Sequence, residues 1–337
     1  MNSNLNVIVY GRNLFGFDDE SLNQQKLQEV SISGFSTVIF WPLHFDAEGN
    51  FYYHDSDPRD PLDPIVKNGV FNEDVYGYLP PLTEALKGDG TVQRLLFSIG
   101  GAGPDDFDKA KALLATPAGT QTLLNNFRAL INALSLDGFD FDLEVPEHVY
   151  DPYLDTVVAL TLMLTQQCGV AVTYCPYTEE QFWVDCLAAV FQKNNQKQAV
   201  SWLNLQCYSG GAENLNISRF DDWVDEIKNR APLGIENPAA FIAPGYWSLT
   251  VLTKCKPDSL SGGRQGVKCP CEMQSTLTDL RKTYPDINSS FVWNSLMIAA
   301  CADSGNCGGD PITVNAYADA LIVGLSVVPL NGNSPSA

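Results

Sequence analysis

The chain has 337 residues, of which 45% are hydrophobic and 11% aromatic, so it can bury a large core and is not disordered over its length. Its formal net charge of -20 would repel phosphate backbones, which argues against nucleic acid as a partner. The longest apolar run, at residues 157–164, is too short to span a bilayer, which argues against a membrane partner.

Short apolar segments alternate with amphipathic segments of helical periodicity, which is the pattern of repeated βα units. Eight strands are predicted at residues 6–10, 35–40, 93–99, 137–144, 170–175, 199–207, 239–243 and 289–295. Eight helical regions are predicted at residues 18–31, 80–87, 105–134, 150–167, 179–193, 220–229, 272–284 and 313–325. This order predicts an α/β fold, a single (β/α)8 TIM barrel over residues 1–330, with a disordered tail at residues 331–337.

The second strand is predicted to end at Trp41-Pro42, and a long polar and aromatic segment follows it, at residues 43–78. Within this segment, Phe51-Tyr-Tyr53 follows Glu48-Gly-Asn50 and predicts a small β-hairpin. Loops of this length in a compact domain usually contribute to function.

Nine cysteines divide into two groups. Four lie in or beside apolar segments and are predicted to be buried thiols, namely Cys168, Cys175, Cys186 and Cys207. Five lie in polar loop sequence of the last third, namely Cys255, Cys269, Cys271, Cys301 and Cys307. Disulfides of an exported protein are the first interpretation of these five, and a zinc site is the second. No signal peptide precedes the first strand, so the chain is interpreted as cytosolic or as a secreted protein without its leader.

The fourth strand carries three carboxylates at alternate positions, Asp140, Asp142 and Glu144, separated by apolar residues. Successive side chains of a strand point to opposite faces, so the three acids project one way, into the interior of a closed barrel. Acids packed this closely in a partly dry site cannot all ionise, and one is expected to keep its proton, as a general acid must. A calcium loop would carry Gly and Asn between the acids instead of Phe and Leu.

Barrels of this type place their active sites at the C-terminal ends of the strands. The predicted ends carry Tyr10, Trp41, Ser98 with Gly100 and Gly101, Glu144, Tyr174, Tyr208, Tyr246 and Trp293. Aromatic faces stack on sugar rings and carboxylates hydrolyse glycosidic bonds, so the set predicts a carbohydrate ligand, although any single aromatic residue is as readily explained by core packing. Asn204, Gln206 and Tyr208 share one face of the sixth strand and are expected to hydrogen-bond the acids or the sugar.

The segment Asp137-Gly-Phe-Asp-Phe-Asp-Leu-Glu144 resembles the DxxDxDxE signature of glycoside hydrolase family 18, the family of the chitinases. Ser98-Ile-Gly-Gly101 is similar to the SxGG motif of the family's third strand. Tyr208 stands where the sixth-strand tyrosine belongs, and Trp293 resembles the tryptophan that ends the eighth strand and forms the floor of the sugar site. The motifs extend from residue 98 to residue 293, and the barrel pattern extends the resemblance to nearly the whole chain.

The resemblance implies endo-type hydrolysis of β-1,4-linked N-acetylglucosamine polymers by a substrate-assisted, retaining mechanism. Glu144 would protonate the glycosidic oxygen, and Asp142 would orient the N-acetyl group and stabilise an oxazolinium ion. Asp140 would hold Asp142 and share a proton with it, and Tyr208 would hydrogen-bond the acetamido carbonyl. The predicted sugar-binding residues are Tyr10, Trp41, Gly100, Gly101, Gln206, Tyr246 and Trp293. Asp137 is expected to be structural, and a monomer without cofactor or metal is expected, with chitin or its oligosaccharides as the partner.

Two departures from the family pattern stand out. About forty residues separate the predicted seventh and eighth strands, so no α+β insertion is expected there. The sixth strand reads Gln206-Cys-Tyr208 instead of the common Met-x-Tyr-Asp. Two alternatives stay open: an endo-β-N-acetylglucosaminidase acting on N-glycans, against which Trp293 argues, and a non-catalytic lectin, against which the presence of Glu144 argues.

Overall fold

The structure is a computed structural model. It describes residues 5–16, 19–53, 63–88, 90–145, 149–208, 217–230, 232–248, 267–301, 306–307 and 310–326. The predicted tail at residues 331–337 and the segment that contains Cys255 lie outside these ranges. So do residues 249–266, which lie between the seventh and eighth strands, where no α+β insertion was expected.

Eight parallel strands form a closed barrel. They are β1 (Asn6–Arg12), β2 (Thr37–Phe45), β3 (Arg94–Ala102), β4 (Gly138–Glu144), β5 (Ala171–Tyr174), β6 (Val200–Gln206), β7 (Ile242–Ser248) and β8 (Ser289–Trp293). Each strand pairs in parallel with the next one along the chain. β8 then pairs in parallel with β1, from Asn6 opposite Ser289 to Tyr10 opposite Trp293. The predicted (β/α)8 barrel is confirmed.

Helices surround the barrel. The longer ones are Glu20–Ser31, Leu79–Leu86, Asp105–Leu114, Pro117–Leu134, Leu154–Leu162, Glu180–Lys193, Ile217–Asn229, Pro270–Thr283 and Val314–Ser326, and the short ones are Glu73–Tyr76, Asp151–Tyr153, Met163–Cys168, Pro238–Phe241 and Ser295–Cys301. Several start at a side-chain cap, as where Asp19 accepts from the Leu22 amide at 2.8 Å. Across the described residues, no helix combines the length and apolarity needed to cross a membrane.

The strands separate two apolar regions because their side chains alternate between the two faces. Outward-facing residues such as Phe139, Phe141 and Leu143 are fully buried against the helices in the main core. A smaller cluster fills the barrel interior and consists of Ile8, Tyr10, Ile39, Leu96, Cys175, Trp202, Tyr208, Ala243 and Phe291. Gly245 leaves room for the Phe291 ring, because a side chain at that position would overlap it.

The seventh strand differs from its prediction at residues 239–243. Pro238–Phe241 forms a helical turn, capped where the Asn237 side chain accepts from the Ala240 amide at 3.1 Å. The strand begins at Ile242 and continues through Pro244. Proline removes one backbone donor, and the sheet tolerates this loss because the adjacent Gly245 carbonyl still accepts from the Cys207 amide at 3.1 Å.

The second strand also extends beyond its predicted end at Trp41-Pro42. It continues to Phe45 and pairs in antiparallel fashion with the short strand Phe51–Tyr53, which confirms the predicted hairpin. The register between β2 and β3 shifts after Phe40, so the strand passes the proline and carries the hairpin above the C-terminal end of the barrel. Trp41 therefore lies within a strand and not in a loop.

Candidate active site

A cavity of about 410 Å³ opens at the C-terminal end of the barrel. Its lining consists of Tyr10, Arg12, Trp41, Ala102, Asp142, Glu144, Cys175, Tyr177, Gln206, Tyr208, Trp247, Trp293 and Met297. Each of the eight strands, or the residues directly after it, contributes at least one of these side chains. The volume lies within the range of small-ligand sites, and the mixture of aromatic and carboxylate groups suits a sugar.

Aromatic rings form the walls of the cavity. The Trp41 and Trp293 rings meet edge to face with their centroids 4.9 Å apart, and the Tyr10 ring lies 5.4 Å from that of Trp293. On the other side the Tyr208 ring lies 5.8 Å from that of Trp247. Because each ring is held by a neighbouring ring, the walls are rigid surfaces against which an apolar sugar face can pack.

Asp140 lies beneath the cavity and is fully buried. Its Oδ2 atom accepts hydrogen bonds from the Tyr10 hydroxyl at 2.7 Å and the Ser98 hydroxyl at 3.0 Å. Its Oδ1 atom accepts from Thr173 Oγ1 at 2.6 Å and Asn204 Nδ2 at 2.9 Å. Burial raises the pKa of Asp140, and the four hydrogen bonds oppose that increase because they stabilise the carboxylate.

Asp142 and Glu144 line the cavity as a coupled pair. One amide nitrogen, Gln206 Nε2, donates to Asp142 Oδ1 at 2.9 Å and to Glu144 Oε1 at 3.0 Å. Trp41 Nε1 donates to Asp142 Oδ2 at 3.2 Å. Burial raises the pKa of Asp142 well above its usual value, and the charges of Glu144 and Asp140 raise it further. Burial also raises the pKa of Glu144, so the pair retains a proton at a pH where an ordinary carboxyl has lost it.

The partner of Asp142 differs from the predicted one. Proton sharing was predicted between Asp140 and Asp142, yet within the described ranges no hydrogen bond joins these two carboxyl groups. Four donors occupy the lone-pair positions of Asp140, which leaves no position for a proton from Asp142. Asp142 contacts Glu144 instead.

Tyr208 places its ring in the cavity wall and is only 5% exposed. Burial raises the pKa of its hydroxyl well above the usual value, and the charges of Asp142 and Glu144 act in the same direction. The hydroxyl therefore stays protonated at neutral pH and is able to donate a hydrogen bond, as its predicted contact with an acetamido carbonyl requires.

Seven of the predicted catalytic and sugar-binding residues line the cavity together: Tyr10, Trp41, Asp142, Glu144, Gln206, Tyr208 and Trp293. Tyr246 does not. It packs in the main core with Lys268 Nζ 5.9 Å from its ring centroid, and Trp247 occupies the cavity. The prediction for Tyr246 is corrected because alternation along β7 directs Ala243, Gly245 and Trp247 inward.

Tyr174 is corrected for the same reason. Thr173 and Cys175 point into the barrel, so Tyr174 points outward, where its hydroxyl lies 2.8 Å from Thr161 Oγ1. Its ring stacks on that of Phe141 at 5.8 Å. This strand end contributes Cys175 and the following Tyr177 to the cavity instead.

Gly100 and Gly101 shape the site without lining the cavity. Both have positive φ angles, 101° and 133°, which favour glycine. A side chain at Gly101 would come within 2.9 Å of Trp41 Cζ2, and one at Gly100 would overlap the Asp142 carbonyl. The two glycines therefore allow Trp41 and the acidic strand to approach β3, and their predicted role as sugar contacts is replaced by this positioning role.

The cavity also contains residues that the sequence reasoning did not select: Arg12, Ala102, Cys175, Tyr177, Trp247 and Met297. The Arg12 guanidinium lies 5.3 Å from the centroid of the Trp41 ring. Alternation from Tyr10 along β1 and from Ala243 along β7 would have identified Arg12 and Trp247. Ala102 and Met297 carry no comparable signal.

Asp137, at the start of the acidic segment, has a structural environment, as expected. Lys87 Nζ lies 2.8 Å from its Oδ2 atom, and the same oxygen accepts from the Leu95 amide at 2.8 Å. These contacts tie the segment before β4 to β3 and to the end of the helix Leu79–Leu86. The side chain is at the N-terminal end of the barrel, away from the cavity.

The four cysteines that were predicted to be buried are free thiols. Cys175 and Cys186 are fully buried, as predicted, whereas Cys168 and Cys207 are only partly so. The sulfur atoms of Cys269 and Cys271 are 3.1 Å apart, whereas a disulfide bond is about 2.05 Å long. The structure thus gives no support to a disulfide between this pair. The side chains of the other three C-terminal cysteines lie outside the described part. Among the residues described, no group of three His, Cys, Asp or Glu side chains is arranged to hold a metal ion.

No family model and no curated protein matches this chain. Solved structures do match it over nearly its whole length. A fungal endo-beta-N-acetylglucosaminidase from glycosyl hydrolase family 18 is 19% identical, with a TM-score of 0.58 and coverage of 95% of this chain and 96% of that one. A GH18 chitinase from Pseudoalteromonas aurantia is 15% identical, with a TM-score of 0.60 and coverage of 95% and 100%.

YKL-39, whose structures were solved in the presence of chitooligosaccharides, is 11% identical, with a TM-score of 0.64 and coverage of 96% of this chain and 100% of that one. Identities this low establish similarity of fold alone. The resemblance to glycoside hydrolase family 18 that the motifs indicated is thus confirmed at the level of the fold.

Proposed function

We propose that this protein is a glycoside hydrolase that cleaves β-1,4-linked N-acetylglucosamine polymers by substrate-assisted, retaining catalysis. The observation that carries the proposal is the coupled Asp142–Glu144 pair, bridged by Gln206 and facing an aromatic cavity. Burial raises the pKa of both carboxyl groups, which favours the protonated form that a general acid requires.

The proposed mechanism gives each group a step. Glu144 is mostly buried but reaches the cavity at the open end of the strand, and it donates its proton to the glycosidic oxygen. Once that proton has left the pair, Asp142 is ionised beside the acetamido group. The acetamido oxygen attacks the anomeric carbon as the glycosidic bond breaks, and the Asp142 charge stabilises the resulting oxazolinium cation. Water then opens the oxazolinium ring with Glu144 as general base, so the configuration at the anomeric carbon is retained.

The positions of the acids support a mechanism without a second carboxylate nucleophile. In the two-carboxylate retaining mechanism the groups flank the sugar about 5 Å apart on opposite sides. Here Asp142 and Glu144 lie on one face of one strand and contact each other through Gln206. An internal nucleophile supplied by the substrate suits this arrangement, and Tyr208 is placed in the wall to orient it.

One observation favours a second candidate function. The fungal structure described above is an endo-beta-N-acetylglucosaminidase, so the same fold carries that activity in another protein. An N-glycan core contains the same β-1,4-linked N-acetylglucosamine disaccharide, and the acidic pair would act on it in the same way. The difference between the two substrates lies in what surrounds the cleaved bond.

Product analysis tests both candidates. Wild type and Glu144→Gln are incubated with N-acetylglucosamine oligomers of defined length, and products are separated with detection of the anomers. We expect wild type to release shorter oligomers with the β-anomer first, and the variant to release almost none. An α-anomer as first product would exclude the retaining mechanism. Release of glycans from a glycoprotein, without cleavage of the oligomers, would establish the second candidate instead.

A further inference from the structure

A column of side chains below the cavity connects the base of the barrel to Asp140. Trp202 lies at the N-terminal part of β6 and points into the barrel interior. Its Nε1 atom donates to Asn204 Oδ1 at 2.8 Å, and Asn204 Nδ2 donates to Asp140 Oδ1 at 2.9 Å. Beneath them, the Arg94 guanidinium lies 5.2 Å from the centroid of the Trp202 ring.

The indole determines the orientation of the Asn204 amide. An indole N–H is a donor only, so the atom of Asn204 that faces Trp202 must be the carbonyl oxygen. The amide nitrogen is therefore directed at Asp140, and it cannot accept a proton from that carboxyl group. A hydroxyl group in the same position could donate to an ionised Asp140 or accept from a protonated one, so it would be compatible with both protonation states of Asp140.

The three other donors to Asp140 are hydroxyl groups, namely those of Tyr10, Ser98 and Thr173. A carboxylate has about four lone-pair positions, and the four donors fill them. Protonation of Asp140 would require one hydroxyl to rotate and would leave a donor without an acceptor in a fully buried site, which is costly. Asn204 is the member of this set that cannot adjust.

Charged and titratable groups face Asp140 from several elements. They are Tyr10 on β1, Cys175 after β5, and Asp142 on its own strand. The interior side chains of β2, β7 and β8 at this level are uncharged, namely Ile39, Ala243 and Phe291. Arg94 at the base is separated from the carboxylate by Trp202 and Asn204. No cation contacts Asp140 within the described residues, so hydrogen-bond donors have to stabilise its charge.

We propose that Asn204, oriented by Trp202, is a positioning residue that keeps Asp140 ionised at neutral pH and thereby confines the shared proton of the acidic strand to Asp142 and Glu144. This inference rests on the proposed hydrolysis only for its effect on rate. The charge retained on Asp140 repels charge on Asp142, so the pair holds its proton more strongly. A proton that moved to Asp140 would leave Glu144 unable to protonate the glycosidic oxygen.

Two variants and one control test the proposal. Asn204→Leu removes the amide at similar volume, and Trp202→Phe keeps a ring in place while removing the N–H that orients Asn204. Trp183→Phe makes the same change in a fully buried tryptophan of the outer core. Two quantities are measured: the pH profile of kcat on an N-acetylglucosamine oligomer, and the titration of Asp140 followed by the 13C chemical shift of its carboxyl carbon in protein labelled at aspartate.

We expect Asn204→Leu to raise the pKa of Asp140, to lower kcat at neutral pH about tenfold and to move the basic limb of the profile to lower pH. Trp202→Phe is expected to act in the same direction to a smaller extent, and Trp183→Phe to leave both measurements unchanged. If Asn204→Leu does not fold, Trp202→Phe decides.

An Asp140 titration that is identical in wild type and both variants would overturn the proposal. The same holds for a fall in kcat with an unchanged pH profile, because a purely structural role predicts that result. A wild-type protein that cleaves no oligomer would contradict the proposed function alone, since the carboxyl titration decides the role of Asn204 without any activity.

Discussion

The lower and upper halves of the acidic strand contain the same chemical group in opposite surroundings. Asp140 is fully buried and accepts four hydrogen bonds from four different strands. Asp142 and Glu144, one and two side chains further up the same face, share a single amide donor and repel each other. Burial raises the pKa of all three acids, and the hydrogen bonds that oppose this increase are most numerous at Asp140.

This difference in hydrogen-bond partners suits Asp140 and the Asp142–Glu144 pair to different protonation states. The lower acid has the partners that a permanent anion requires, and the upper pair has the partners that a shared proton requires. Under the proposed role of Asn204, a single strand provides a fixed charge and a mobile proton within two residues. The predictions below test whether the two halves are as distinct as their contacts indicate.

Glu144→Gln has the largest expected effect. The amide keeps the size of the side chain and cannot donate a proton to the leaving oxygen, so we expect kcat to fall by about 10³-fold or more while oligosaccharide binding remains. Steady-state rates with a chromogenic oligomer and calorimetric binding of the unmodified oligomer measure the two quantities. In wild type the rate should fall as pH rises through the raised pKa of Glu144. A variant that retains full activity would show that the acid lies elsewhere.

Asp142→Asn tests the contribution of the other carboxyl group in the Asp142–Glu144 pair. The neutral amide cannot develop the charge that stabilises an oxazolinium ion, so we expect a loss in kcat of about 10²-fold. The Asp142 carboxyl lowers the pKa of Glu144 through a hydrogen bond, and an amide is the weaker donor, so the basic limb of the pH profile should move to higher pH. An unchanged limb would mean that the two carboxyl groups are not coupled.

Gln206→Leu should shift the pH profile in the direction opposite to Asn204→Leu, and so distinguishes the Asp142–Glu144 pair from Asp140. The amide of Gln206 stabilises the ionised form of Glu144, so its loss should raise the pKa of Glu144 and move the basic limb to higher pH, opposite to the shift expected for Asn204→Leu. The accompanying fall in kcat should be about tenfold, the value of one hydrogen bond to a charged group. Shifts of the same sign in both variants would show that the halves respond as one unit.

Part of this arrangement was predictable from the sequence because it depends on the period of two within a strand. The alternation of Asp140, Asp142 and Glu144 with apolar residues predicts a shared face, and that of Asn204, Gln206 and Tyr208 does so for β6. Both faces point into the barrel as predicted. The eight-fold repeat of strand and helix similarly predicts the fold without any knowledge of tertiary contacts.

Two errors concern the face of a strand to which a side chain was assigned. A shift of one residue moves a side chain to the opposite face, and for this reason Tyr174 and Tyr246 were assigned to the cavity that Cys175 and Trp247 occupy. Apart from Asn204, which was expected to hydrogen-bond the acids, the set of donors around Asp140 was not predictable, for another reason. It depends on the stagger between strands, which is a property of barrel closure and is not encoded in any single segment.

The pH dependence of stability offers a further test of the upper pair. Because the pKa of Glu144 is raised in the folded state, the folded protein binds more protons than the unfolded chain between the ordinary value of 4.5 and the raised one. The free energy of unfolding therefore falls as pH rises through this window, and the loss is complete above the raised pKa. Glu144→Gln removes this loss, so the variant should become more stable than wild type as pH rises.

Urea unfolding of both proteins at several values from about pH 4 to about pH 8 measures this difference. Glu20→Gln, at an exposed position in the first turn of the helix Glu20–Ser31, is the matched control. A stability difference between Glu144→Gln and wild type that does not change with pH would contradict the raised pKa.

The smallest expected effect concerns Asp137, which belongs to the same sequence signature and to neither half. Its carboxylate bonds Lys87 at 2.8 Å and the Leu95 amide at 2.8 Å, in a partly exposed position at the base of the barrel. Asp137→Ala should lower the free energy of unfolding by about 1–2 kcal/mol, after allowance for solvent screening, and leave kcat and its pH profile unchanged. Asp155→Ala, whose carboxylate is 90% exposed and 3.4 Å from Lys193, should change neither quantity. A lower kcat for Asp137→Ala, with unchanged titration of Asp142 and Glu144, would contradict this prediction. It would show that Asp137 contributes to catalysis and is not only structural.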